Sequence, residues 1–156
     1  MGKLLAIYLN DHLAGATVGV ELARRLRASN CDEPEFGPEL ATICAEIEAD
    51  RETLVAIMDR LGVSRGRVKP LAAMLAERLG RLKLNGQLRG YSPLSRLDEL
   101  EFLAIGVTGK RQLWRSLEHT HAGELPGFEL GPLAERASEQ LDRLEALRLK
   151  AAARAL

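Results

Sequence analysis

The chain has 156 residues, with 22 Lys and Arg against 22 Asp and Glu and a formal net charge of zero at pH 7. That length fits one domain whose core is large enough to fold without disulfide or metal staples. No apolar run approaches the roughly 18 residues of a membrane span, and MGKLLAIYLNDHL meets Asp11 and His12 too early for a signal-peptide core. Two cysteines, Cys31 and Cys44, make neither a disulfide framework nor a zinc set, so the expected location is cytoplasmic with both thiols reduced. Aromatic residues are only 4%, and Ala, Leu, Glu and Arg dominate, which favours an all-α protein.

In chain order, the first predicted helix spans residues 3–29. Leu5, Tyr8, His12, Gly15, Gly19, Leu22 and Leu26 recur at spacings of three and four, the seam of a packed helix. A histidine and two glycines interrupt it; the expected role of Gly15 and Gly19 is close helix approach. A break at SNCDEPEFG follows, then a second helix over 38–61 with Gly37 as its expected cap and Pro38 in its first turn. Its stripe is Leu40, Ile43, Ile47, Asp50, Leu54, Ile57 and Leu61, apolar except for one carboxylate, and Gly62 ends it.

A crossover over 63–92 contains a shorter predicted helix at about 70–82. Residues 81–91 include Asn85-Gly86, a hairpin turn signal, but a lone hairpin is marginal in water and a fraying helix end is the preferred reading. Ser92-Pro93 opens a helix over 93–118 that buries Leu97, Leu100, Leu103, Val107, Trp114 and Leu117, with Gly106 and Gly109 as a weak middle. The last helix covers 132–154, with Leu133, Ala137, Leu141, Leu144 and Leu147 inward.

Two long helices, a crossover and two more long helices predict a ferritin-like antiparallel four-helix bundle with a helical crossover between the second and third. The phrases YLNDHLAGATVGVELARR, EIEADRETL and GYSPLSRLDELE also resemble a family of uncharacterised bacterial ferritin-like proteins. The resemblance covers most of the chain and implies the bundle; no biochemical role comes with it.

Charge is distributed in blocks. Residues 31–59 carry nine acidic side chains and one basic, a net of −8; residues 60–96 carry nine basic and one acidic, a net of +8. Either the blocks face each other, within or between chains, or the basic one is a separate anion-binding surface.

Three site candidates follow. A di-metal centre for iron or manganese needs a Glu from each of two helices and Glu-x-x-His from each of the others. Glu21, Glu46, Asp50 and His12 are the candidate ligands for one, but Glu46 has Ala49 three positions on, and the one Glu-x-x-His, Glu118 to His121, sits at a helix end. The second candidate is a polar seam of His12 and Asp50 with Tyr8, Lys110 and Arg111, suited to acid–base work, to one metal ion, or to fixing helix register. The third is an anion-binding run of Arg65, Arg67, Lys69, Arg78, Arg81, Lys83 and Arg89, which suits RNA or phosphate. The leading expectation is a bundle without catalysis or cofactor that associates with itself or a protein partner; a degenerate metal-binding or oxidoreductase bundle and an RNA- or phosphate-binding module stand behind it.

Overall fold

The computed structural model describes residues 2–66 and 91–156. Four long helices carry the chain: α1 (Lys3–Ser29), α2 (Gly37–Arg60), α3 (Pro93–His121) and α4 (Leu130–Ala155). A short 3-10 turn, Ala122–Glu124, precedes α4, and no strand occurs among the described residues. The predicted helix over 70–82, and all but Tyr91 of the doubtful stretch 81–91, lie outside them.

Local sequence accounts for the helix ends. The Ser92 hydroxyl accepts the Ser95 N–H at 3.0 Å and Pro93 fills the first turn of α3, so two of the usual orphan groups are settled at once. At the end of α2, Gly62 takes a φ of +64°. That turn lets the Val63 N–H reach the Met58 carbonyl at 2.8 Å and the Gly62 N–H reach Asp59 at 3.1 Å, the paired bonds of a Schellman ending. The cap of α2 is Phe36 rather than Gly37. Gly37 has another duty, because a Cβ there would lie 2.8 Å from the Asn30 carbonyl oxygen and 2.9 Å from that of Cys31.

Helix α1 lies beside α2 and α3, α3 lies beside α4, and the backbones of α2 and α4 come close at few places. On α1 and α2, Asn10 meets Ser64 and Gly66, Thr17 meets Arg51, and Arg24 meets Glu48. On α3 and α4, Glu101 meets Arg148 and Lys110 meets Gln140. The apolar core falls into two clusters. One gathers Leu26, Phe36, Ile43, Leu100 and Leu144; the other gathers Leu9, Leu13, Ile57, Leu113 and Trp114.

The buried stripe of α1 differs from the predicted seam. Leu22 and Leu26 are buried, but the deep positions before them are Leu9, Leu13, Ala14 and Val20. Tyr8, His12 and Gly19 are half-buried and Gly15 is exposed. The seam is turned by one position because both Leu9-Leu13 and Tyr8-His12 satisfy helical spacing, and the larger aliphatic pair takes the core. Nor do the glycines bring helices together: a Cβ on Gly15 or Gly19 would meet no atom within 4 Å.

Glycine substitutions should therefore split by sign. Gly37→Ala drives a methyl into two carbonyls and is expected to cost about 1–3 kcal/mol. Gly109→Ala, whose Cβ meets nothing within 4 Å, is expected to stabilise by up to ~1 kcal/mol through helix propensity. Urea unfolding midpoints of the two variants check both signs.

Candidate functional site

A layer of charge separates the two apolar clusters. Asp50, 2% exposed, occupies the α2 stripe between Ile47 and Leu54. Its carboxylate receives the Lys110 ammonium from α3 through Oδ2 and the Arg136 guanidinium from α4 through Oδ1. The fully buried Gln140 completes the layer, accepting from Lys110 through Oε1 and donating through Nε2 to Glu46 at 2.9 Å and to Asp50 at 3.4 Å. Glu46 is held in turn by Arg143, which also reaches Glu39 at 3.1 Å. Burial pushes the Lys110 amine below its ordinary 10.5, although Asp50 pulls the other way. Burial also opposes the Glu46 carboxylate, yet the hydrogen bonds from Arg143 and Gln140 outweigh it and hold the group below 4.5.

Beside this layer, between α1, α2 and α3, lies a groove of about 300 Å³. Glycines make the room. Gly15 and Gly19 from α1 and Gly106 and Gly109 from α3 line it, and a Cβ added to any of them would enter open space. Leu54, Leu103, Val107 and Trp114 supply apolar walls, while Asp50 and Lys110 mark the point where the charged layer reaches the groove. Tyr8 and His12 flank it from α1, their rings in an edge contact with centroids 4.5 Å apart. Burial lowers the His12 pKa from 6.5, against a smaller upward pull from Asp11, so the imidazole is neutral at pH 7. The indole N–H of Trp114, itself 1% exposed, finds no acceptor among the described residues.

The expected polar seam is thus assembled in part. Asp50 and Lys110 are joined, and Arg51 confirms the level at which α1 meets α2 by donating to Thr17 at 3.4 Å. His12 and Tyr8 share the groove with Asp50 but make no hydrogen bond to it, and the Nε of Arg111 finds no acceptor among the described residues. Arg136, Gln140 and Arg143 were not anticipated. Gln140 carries the same signal that singled out Asp50, a polar residue in an apolar stripe running Ala137, Gln140, Leu144, Leu147, Ala151.

A second buried polar cluster ties the α1–α2 turn to the start of α3. Asn30 donates to the Leu26 carbonyl at 2.7 Å and accepts from Arg96, whose guanidinium lies 4.3 Å from the centre of the Phe36 ring. Glu99, fully buried, takes the Tyr91 hydroxyl at 3.0 Å and pairs with Arg25. Burial and the Glu99 charge push the Tyr91 phenol well above its ordinary range. Each member here has its partner within the bundle, which is the pattern of an anchor.

The metal set does not fit. Glu21 projects outward with its side chain 69% exposed and pairs with Arg24, Glu46 and Asp50 are engaged by cations, and His12 makes an edge contact with Tyr8. Among the described residues no three His, Cys, Asp or Glu side chains group as metal ligands. Of the anion-binding run, Arg65 is exposed and pairs with Asp59 at 3.3 Å. Arg67, Lys69, Arg78, Arg81, Lys83 and Arg89 lie outside the described residues. Among the described residues the acidic block finds cations on Arg24, Lys110, Arg136, Arg143 and Arg154, besides Arg65 and Arg96 of the basic block. Both cysteines are free, Cys31 exposed and Cys44 buried. No described helix is long and apolar enough to cross a membrane. No family profile, curated protein or solved structure matches the chain.

Asp50→Asn leaves Lys110 and Arg136 without their carboxylate and is expected to cost about 3–5 kcal/mol in denaturant unfolding. The triple change Asp50→Leu, Lys110→Met, Arg136→Met should recover most of that loss, since it removes the charges together.

Acid should act in two windows. The folded His12 pKa lies below 6.5, so the unfolded chain takes up its proton first and stability starts to fall as pH drops past that value. The stabilisation from Glu46 is present above 4.5 and is lost as pH falls through the lower folded value. Unfolding free energy against pH should show the upper decline in the native chain and not in His12→Phe, with the lower one kept in both.

Proposed function

We propose that this protein is a ligand-binding helical bundle that takes a small, largely apolar molecule into the groove between α1 and α3. The observation that carries the reading is the set of four glycines at the groove, each with open space where a side chain would stand. In a helix interior each glycine forgoes about 0.8–1.0 kcal/mol relative to alanine. Here that sacrifice gains no closer packing and leaves a concave apolar surface with a few polar groups at one point, which is how small-molecule sites are built. The work is binding, and the polar layer gives the groove rigid walls.

We also read the bundle as ferritin-like and antiparallel within each hairpin. Residue pairs support it: along α1 and α2, and along α3 and α4, contacts that advance on one helix retreat on the other. Association through charged faces ranks behind ligand binding, because Glu33, Glu35, Glu39, Glu46, Glu48, Asp50 and Asp59 all have ion pairs within the chain. An RNA- or phosphate-binding role would rest on Arg65–Arg89, of which only Arg65 is described.

Titration with an uncharged, polarity-sensitive apolar dye tests the groove. Binding is expected in the native chain, with a blue shift of the dye and a response from Trp114, the single tryptophan. Gly19→Leu and Gly109→Leu fill the space from either side and should weaken binding by about tenfold or more while leaving the fold intact. Equal dye affinity in the native and both filled variants would sink the reading.

A further inference from the structure

We infer that the ligand of this groove ends in a carboxylate, which meets the Lys110 ammonium and the Arg51 guanidinium at the charged end of an otherwise apolar site. The inference rests on the groove being a ligand site and adds the chemistry of what enters it.

Counting donors leads there first. An ammonium has three N–H groups. Asp50 and Gln140 take two of those on Lys110, and no third acceptor occurs among the described residues. The placing of the cations leads to the same residue. Asp50 is matched twice, by Lys110 and by Arg136, and Arg136 reaches it from α4 without lining the groove. Glu46 and Glu39 are answered by Arg143 in the same layer, and of the layer's cations Lys110 is the one that lines the groove.

Arg51 adds a second cation to that lining. Its partner is the Thr17 hydroxyl at 3.4 Å, and among the described residues it has no ion pair with a carboxylate. Asp11 is the lining's other acid, and it is exposed, where water screens it. His12 is neutral at pH 7 and neither attracts nor repels an anion strongly. A carboxylate placed against Lys110 would replace lost hydration with charge-assisted bonds, while the rest of the molecule covers Leu54, Leu103 and Trp114. A cationic head would instead face Lys110 and Arg51 directly.

A matched series sharing one apolar body separates these cases: octanoate, 1-octanol and octylammonium, each below its micelle-forming concentration, followed by calorimetry and Trp114 fluorescence. Octanoate should bind about tenfold tighter than 1-octanol, the share of one charge-assisted hydrogen bond, with octylammonium weakest. Arg51→Gln, a half-buried position outside the Asp50 layer, should weaken octanoate several-fold and leave 1-octanol unchanged. Lys110→Met, with its fold checked by circular dichroism, should erase the preference altogether. Equal affinity for acid and alcohol would overturn the carboxylate while the groove stands. Tighter binding of octylammonium would overturn it in favour of Asp11 and Asp50. No binding of any member, together with no dye binding, would remove the groove reading and this inference with it.

Discussion

A single buried carboxylate sets the terms for the middle of this bundle. Asp50 breaks an otherwise apolar buried stripe, between Ile47 and Leu54, and an unpaired charge there would cost several kcal/mol. It is met by Lys110 from α3 and by Arg136 and Gln140 from α4. Three helices are therefore committed to one relative height. Sliding α3 by a turn would put Gly106 or Trp114 where Lys110 stands, so the register is fixed by the penalty for error more than by the strength of the pairs.

The same layer explains why the core is in two pieces. On α2 and α3 the change of cluster falls at this level, with Ile47 and Val107 in one and Leu54 and Leu113 in the other. At this level the groove opens beside the layer, between α1 and α3. Glycines on α1 and α3 then keep the gap open. Groove and charge layer are thus two results of one arrangement.

How much of this was legible in the residues depends on the kind of signal. Helix existence followed from long apolar periodicity, and Ser92-Pro93 and Gly62 marked ends by backbone chemistry that acts locally. Asp50 stood out because it broke a clean stripe, and Lys110 was named as a companion from the weak stretch of α3. Arg136 and Arg143 gave no such sign. An arginine at the edge of a helix looks the same whether it ends in water or bends inward to a partner 86 or 97 positions earlier. The α1 face was misjudged because two stripes one residue apart both fit the helical period, and only the volume of the surrounding helices chooses between them. The room beside the glycines was equally invisible, since small residues mark a tight contact or a void with the same letters.

The seam between α2 and α4 has a consequence of another kind. These helices meet less through backbone proximity than through a series of guanidinium–carboxylate struts: Arg136 to Asp50, Arg143 to Glu46 and Glu39, and Arg154 beyond α2 to Glu33 and Glu35. The outer struts are partly wet, so dissolved ions compete for them, whereas the leucine contacts between α3 and α4 are indifferent to ions. The α2–α4 side is accordingly fastened mainly by charge, and the α3–α4 side mainly by leucines with a single ion pair, Arg148 to Glu101, among the described residues. Ionic strength acts most on the α2–α4 side, which carries the most struts, so that seam loosens first in brine.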